Sequence, residues 1–400
     1  MKSQRLRTGY TTGTCAAAAA KAAAAFVLSG TVPETVSLQL PSGQLCEFPV
    51  QQAFQEGGIW FAVKKDAGDD PDVTHGVLVY GQVKKISGAG EGYTYSEYPK
   101  LYLTGGAGIG LVTRPGLSCP VGYPAINPGP RAMIGAAVDQ VCRDFGYEGG
   151  LQIRIAIPEG AALAEKTFNP RLGIEGGISV LGTTGIVKPM SEEAIRETIR
   201  LEIHMRIAAG GRILLMTPGN YGEEFCRKRL LVPVGQAVTC SNFVRDSVEM
   251  AIQEGMRQLL FISHLGKLVK VAAGMENTHS RYGDGRMEMM VRLLEEAAGE
   301  GGAPGAGSGQ LRKLVAGSNT TDEAAAHIRD SGLAGQVLDL AALHAKQVME
   351  RWAKGRLQTE VITFSPSCER PGLTEGAGRL LKQWKLEQKR TGRTDFGENT

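Results

Sequence analysis

Threonine and glycine residues crowd a short segment that precedes a long alanine run near the start of the chain. Thr11, Thr12 and Thr14 lie among glycines, and Cys15 is followed by five alanines and Lys21. Alanine favours helix, and the unpaired N–H groups at a helix start can bind an anion. Because short Thr/Gly segments are common, the residues alone favour a well-capped N-terminal helix, with an anion site on the first helical turn as the alternative.

Four aspartates, Asp66, Asp69, Asp70 and Asp72, form the most concentrated charge in the chain, in a turn that contains Gly68. Carboxylates crowded in this way raise one another's pKa and can supply a general base, or they can bind a hard cation. A solvated turn held by its own Asx hydrogen bonds is the alternative.

Three polar loops follow apolar runs in the second half of the chain. They are Gly182-Thr183-Thr184-Gly185, Thr217-Pro218-Gly219-Asn220 and His264-Leu265-Gly266-Lys267. Ligands of open α/β sheets bind beyond the carboxyl ends of the strands, so we expect the three loops to meet at one edge and form a cofactor pocket. His264 and His279 lie in loops near strand ends and are candidates for proton transfer or ligand binding.

The elements that must position these residues change in pattern along the chain. Short β-rich runs separated by turn residues fill positions 35–157, which predicts an α+β domain with a mainly antiparallel sheet and few helices. From residue 178 the pattern becomes strand, loop and helix, beginning with the run 178–181 and a helix capped by Ser191. This alternation predicts an α/β Rossmann-like domain with a mainly parallel sheet.

We therefore predict three parts: residues 1–177 as the α+β domain, residues 178–385 as the α/β domain and residues 386–400 as a flexible basic tail. The glycine-rich stretch 299–309 is predicted to be a flexible loop or linker inside the second domain.

Composition fits a globular protein with two domains. The chain has 400 residues, 42% of them hydrophobic, and a net charge of +3 gives no general case for nucleic acid. Seven scattered cysteines predict neither a disulfide framework nor a zinc site. Because we find no secretion signal or membrane-spanning run, we expect a soluble cytoplasmic protein. No Gly-x-Gly-x-x-Gly lies between a strand and a helix, which disfavours a dinucleotide site.

Residues 7–21 resemble the opening signature of the cobalt-precorrin-5B C(1)-methyltransferases, enzymes of anaerobic cobalamin biosynthesis. Further blocks agree in the same order, at residues 65–74, 113–117, 124–128, 172–178, 181–187, 217–220 and 278–280. So many ordered matches are far more specific than any single short motif.

The resemblance implies methyl transfer from S-adenosylmethionine to carbon 1 of a tetrapyrrole, cobalt-precorrin-5B, to give cobalt-precorrin-6A. Cobalt would then arrive only as part of the substrate, and we expect no metal site of the protein itself. Because the sulfonium donor is already activated, the enzyme mainly has to align the donor with the ring carbon. This alignment can lower the activation free energy by roughly 7–11 kcal/mol.

With this resemblance, the candidate residues take predicted roles. Catalytic candidates are Asp69, Asp70 and His264. Candidates for binding the substrate, which bears many carboxylates, are Arg7, Thr8, Thr11, Thr12, Thr14, Asp66, Asp72, Arg114 and Arg131. Candidates for binding the methyl donor are Gly182, Thr183, Thr184, Gly185, Thr217, Gly219, Asn220, Lys267 and His279.

Two other functions stay open at this point. One is a corrinoid-binding carrier without catalysis, and the other is a phosphate-binding transferase built on the glycine cluster 105–110 and the threonine-rich start. The expected partner is a small-molecule tetrapyrrole, without nucleic acid or membrane, and the sequence leaves a homo-oligomer open.

Overall fold

The chain divides between Glu192 and Glu193 into two units, each with its own hydrophobic core. The structure is a computed structural model that describes residues 6–55, 57–233, 235–299 and 309–390. It is a mixed α/β fold with antiparallel and mixed sheets. The proposed domain boundary after residue 177 lies within the first of these units and stays a prediction.

Short strands dominate the described part of the first unit. The strands are β1 Gly9–Tyr10, β2 Thr35–Gln39, β3 Leu45–Pro49, β4 Gln51–Gln55, β5 Gly58–Lys64, β6 Leu78–Ile86, β7 Tyr93–Thr94, β8 Leu101–Gly105, β9 Leu111–Val112, β10 Gly150–Ala156, β11 Ile174–Glu175 and β12 Ile186–Val187. The helices are α1 Thr12–Ser29, α2 Pro128–Asp144 and α3 Gly160–Ala164. The main sheet has the order β4-β5-β6-β10-β8-β7 and is antiparallel except between β8 and β10.

Helix α1 packs closely on this sheet because its alanine side chains are small. A Cβ atom at Gly81 of β6 would lie 2.6 Å from backbone atoms of Ala19 and Ala20. Among the described residues, α1 alone has the length and hydropathy that a membrane span needs, and 67% of it is buried inside the unit. That burial is typical of a core helix.

The structure corrects one expectation for the first unit and adds one helix that was not predicted. Residues 178–181 do not begin a parallel sheet, because they form isolated bridges from Ile178 to Ile109 and from Val180 to Ile126. A four-residue apolar run fits any buried strand, so its pattern does not specify a sheet. Helix α2 was not predicted; its start at Pro128 reads as a turn, although proline is also common in a first helical turn.

The second unit alternates strands and helices. Its strands are β13 Ile213–Thr217, β14 Val238–Thr239, β15 Gln258–His264, β16 Gln358–Phe364 and β17 Gly372–Leu373. Its helices are α4 Glu192–Ala208, α5 Asn220–Leu230, α6 Val244–Gln253, α7 Leu265–Ala272, α8 Arg286–Gly299, α9 Gly309–Ala316, α10 Thr321–Asp330, α11 Ala334–Ala353 and α12 Ala377–Arg390. The sheet order is β14-β13-β15-β16-β17, parallel except for β17.

Two flexible segments were predicted in this half of the chain. Helix α12 continues to Arg390, so residues 386–390 are helical, and the remainder of the predicted tail lies outside the described residues. Positions 300–308 of the predicted linker also lie outside them. The assignment of the unit as Rossmann-like stays a prediction.

Candidate functional site

A cleft of about 710 Å³ opens at the carboxyl ends of the parallel strands β13, β14, β15 and β16. The residues that line it are 218–222, Thr239, Ser241, His264, Gly266, Lys267, Lys270, Thr278, Arg286, 320–322 and Pro366. The volume is in the usual range for small-molecule sites. The structure therefore brings the Thr217 and His264 loops together, as predicted, and we call this site the second-unit cleft.

Thr217 ends β13 beneath the cleft, and the chain then turns into α5. Its side chain is fully buried, and its hydroxyl oxygen has no hydrogen-bond partner among the described residues. Gly219 has φ 145° and precedes Asn220, the first residue of α5. No side chain caps this helix start by a hydrogen bond, and Glu223 lies in its first turn.

His264 ends β15 and caps α7. Its Nδ1 accepts a hydrogen bond of 3.1 Å from the N–H of Gly266, and its Nε2 lies 3.2 Å from Oδ1 of Asp322. The ring therefore lies between the start of α7 and Asp322, and its Nδ1 caps the helix.

Two lysines on α7 line the cleft, and neither forms a salt bridge with a described residue, although Lys270, after Arg286, helps to lower the pKa of Asp284. Lys267 donates to the carbonyl oxygens of Pro218, at 2.6 Å, and Ser241, at 3.4 Å. Burial lowers the pKa of Lys267, and the charge of Lys270 lowers it further. Lys270 is 7% exposed and donates to the carbonyls of Thr278 and Gly283.

Other predicted donor-binding residues lie elsewhere. The loop Gly182–Gly185 belongs to the first unit, where Thr14 donates to the carbonyl of Gly185 at 2.8 Å. The run 178–181 before this loop is not a strand of the second-unit sheet, which corrects the expectation that all three loops follow strands of one sheet. Thr183 and Thr184 are exposed on that loop. His279 is exposed and caps a short 3-10 turn by accepting from the N–H of Arg281.

Sequence reasoning missed several residues of the cleft. Lys270 is three positions after Lys267, a spacing that puts both on one helical face. Thr320 precedes Glu323 by three positions, which is the signature of a helix start. Tyr221 and Thr239 carry no signal in a single sequence, since only the fold brings them to the cleft.

The aspartates at positions 66–72, which we call the acidic turn, form ion pairs and hydrogen bonds with other residues of the first unit. Asp66 forms a two-point contact with the guanidinium of Arg7, and Oδ2 of Asp69 accepts from the N–H of Arg7 at 2.6 Å. The hydrogen bonds from Arg7, and next the one from the N–H of Gly68, lower the pKa of Asp66 to about 2. The predicted mutual rise in pKa is wrong for Asp66, because cationic and N–H donors outweigh the repulsion between carboxylates.

Asp70 and Asp72 have separate partners. Asp70 accepts from the N–H of Met190 at 3.1 Å. Asp72 pairs with Lys65, whose side chain is 1% exposed, and accepts from both the N–H and the hydroxyl of Thr74. Although burial opposes it, the charge of Lys65 lowers the pKa of Asp72. The geometry favours a structural turn over a general base.

The start of α1 is closed by protein atoms. The N–H of Gly13 donates to the carbonyl of Leu181 at 2.8 Å, and Thr11 caps the helix by accepting from the N–H of Thr14. Thr12 is 6% exposed. These contacts agree with the interpretation as a well-capped helix, and the anion site on this turn stays a prediction.

The remaining predicted substrate residues are spread over the first unit. Thr8 is exposed, just before β1. The guanidinium of Arg131 lies 4.2 Å from the ring centre of Tyr93, and its buried Nε has no hydrogen-bond partner among the described residues. Arg114 is half-buried beside Gly173. Arg7 contacts the acidic turn directly through Asp66.

All seven cysteines are unpaired. Within the described parts of the chain, no group of three His, Cys, Asp or Glu side chains is arranged to hold a metal ion.

Comparison with known proteins identifies the family. Residues 1–189 match the CbiD family model, and residues 277–372 match the model of the CbiD C-terminal domain. A relative from Ruminiclostridium cellulolyticum is 40% identical over 363 residues, 90% of each chain. One from Moorella thermoacetica is 39% identical over 387 residues, 96% of this chain and 100% of the relative. Both are named cobalt-precorrin-5B C(1)-methyltransferase.

A solved structure, the cobalamin biosynthesis protein CbiD from Archaeoglobus fulgidus, is also similar. It is 26% identical, with 74% of this chain and 84% of that chain covered and a TM-score of 0.37. The proteins matched in sequence are methyltransferases of cobalamin biosynthesis. The chain belongs to the CbiD family of cobalt-precorrin-5B C(1)-methyltransferases, which confirms the resemblance seen in the sequence.

Proposed function

We propose that the chain transfers the methyl group of S-adenosylmethionine to carbon 1 of cobalt-precorrin-5B, yielding cobalt-precorrin-6A, and that the second-unit cleft binds the methyl donor. Family membership supports the reaction, with curated relatives covering 90% or more of this chain under one name. The cleft at the carboxyl ends of four parallel strands is the observation that carries the donor site.

The residues of the cleft suit such a donor. S-adenosylmethionine combines an aromatic base, hydroxyl groups and an amino-acid end, and it supplies the activated methyl group when bound. Tyr221 offers an exposed ring at the cleft wall, with its ring centre 5.7 Å from that of His264. Backbone N–H groups at the start of α5 and the hydroxyl of Thr239 offer polar contacts.

The protein's contribution is alignment and exclusion of water rather than covalent catalysis. Carbon 1 of the tetrapyrrole and the methyl group of the donor must meet in line. Holding that geometry lowers the activation free energy by roughly 7–11 kcal/mol. His264 maintains the start of α7 through its contacts with Gly266 and Asp322, so we assign it a positioning role. Asp69 and Asp70 remain proposed sources of a base, although each already accepts a backbone N–H.

We further propose that Arg7, Arg114 and Arg131 contact the carboxylates of the tetrapyrrole. Arg131 supports this assignment because its buried Nε lacks a protein acceptor among the described residues. The proposed compartment is the cytoplasm, where the seven unpaired thiols of the chain would stay reduced.

The proposal is tested by calorimetric titration of the purified protein with S-adenosylhomocysteine, the product of methyl donation. We expect saturable binding near one molecule per chain. Absence of binding, both without and with the tetrapyrrole, would contradict the methyltransferase and favour a corrinoid carrier.

A further inference from the structure

Two lysines that form no salt bridge with a described residue lie close together in the second-unit cleft. Lys267 and Lys270 both line it, and each donates only to backbone carbonyls among the described residues. Half-buried or buried ammonium groups are normally paired, because removing an ammonium from water is costly. Two like charges three positions apart on α7 also repel each other.

The helix ends around the cleft add further positive potential. Helices α5 and α7 begin at its walls, near Gly219 and His264, whereas the start of α10 carries Asp322 and Glu323 in its own first turn. A helix start has partial positive charge, so a lysine is unfavourable there unless an anion is present. Lys267 is the third residue of α7, which places a full positive charge at such a start.

An unsatisfied hydroxyl provides an independent observation. The hydroxyl oxygen of Thr239 is buried and has no hydrogen-bond partner among the described residues, although Thr239 lines the cleft. Buried polar side-chain atoms nearly always have a partner. A polar ligand atom would satisfy this hydroxyl.

We infer that the second-unit cleft recognises a carboxylate of its ligand, with Lys267 as the direct charge partner and Lys270 as supporting charge. This inference rests on the proposed function for the identity of the ligand. A carboxylate suits an ammonium together with helix N–H donors. Two sources supply this chemistry: the amino-acid end of the methyl donor and the peripheral carboxylates of the tetrapyrrole.

The test compares two adenosyl ligands and two lysine variants by calorimetry. S-adenosylhomocysteine carries the carboxylate, whereas 5'-methylthioadenosine keeps the base and ribose but lacks the amino-acid end. We expect Lys267→Met to bind S-adenosylhomocysteine about ten- to hundredfold more weakly and methylthioadenosine with unchanged affinity. Lys382→Met, at an exposed lysine on α12, is the control and should change neither affinity.

The remaining outcomes also decide the question. If uroporphyrin, a tetrapyrrole with many carboxylates, loses affinity in Lys267→Met while S-adenosylhomocysteine does not, the carboxylate comes from the tetrapyrrole and the inference stands. If Lys267→Met binds both S-adenosylhomocysteine and uroporphyrin as tightly as the wild type does, the inference is overturned. Methyl transfer by the same variant would then leave the proposed function standing. If Lys267→Met loses all ligands, Lys267→Arg decides: restored binding supports the charge role, and continued loss overturns it.

Discussion

Replacing Asp72 by asparagine should destabilise the first unit, because it removes the charge partner of a buried lysine. The side chain of Lys65 is 1% exposed and that of Asp72 is 24% exposed. Breaking a buried ion pair costs about 3–5 kcal/mol. Water reaches Asp72, and the hydroxyl of Thr74 still contacts Lys65, so we expect a loss of about 2–3 kcal/mol.

Thermal unfolding followed by circular dichroism measures this loss. For a unit of this size, about 2–4 °C per kcal/mol gives a fall in midpoint of about 4–12 °C. Asp70→Asn is the matched control, since Asp70 belongs to the same turn and accepts one N–H from Met190. Its change should stay within about 0.5 kcal/mol. Equal midpoints for Asp72→Asn and the wild type, or equal losses in both variants, would refute the reasoning.

Three further changes test other parts of the account. Because Arg7 holds the pKa of Asp66 at about 2, below its ordinary 3.8, their contact stabilises the fold above pH ~4 and is lost as the pH falls towards 2. The difference in free energy of unfolding between the wild type and Arg7→Met should therefore be smaller at pH 2 than at pH 6, as measured by unfolding at each pH. Gly81→Ala should lower the free energy of unfolding by roughly 1–3 kcal/mol, because the new methyl meets the α1 backbone; an unchanged urea midpoint would contradict that packing. His264→Ala should cost about 1 kcal/mol in unfolding experiments through loss of the α7 cap and should also weaken S-adenosylhomocysteine binding; normal affinity would remove His264 from the site.

Periodicity identified the elements of the second unit better than those of the first. The predicted strands 213–216, 259–263 and 360–364 correspond to β13, β15 and β16. Each of these runs is continuous and apolar because a parallel strand is buried on both faces. Since carboxyl ends of parallel strands share an edge, the sequence also placed Thr217 and His264 together.

Long-range pairing explains what the sequence did not reveal. The loop Gly182–Gly185 resembles the other polar loops in composition, yet the hydrogen bonds of Thr11 and Thr14 hold it in the first unit. The pKa of Asp66 depends on Arg7, fifty-nine positions away, so crowding of the aspartates alone gave the wrong direction. Local patterns carry no information on such partners.

The most direct test of the central claim is a single-turnover reaction of the purified chain with cobalt-precorrin-5B and S-adenosylmethionine labelled in its methyl group. Mass spectrometry and nuclear magnetic resonance of the tetrapyrrole would locate the label. The account predicts one labelled methyl at carbon 1 and an equal amount of S-adenosylhomocysteine. Recovery of unlabelled tetrapyrrole from protein that binds both ligands, or a label on another carbon, would contradict it.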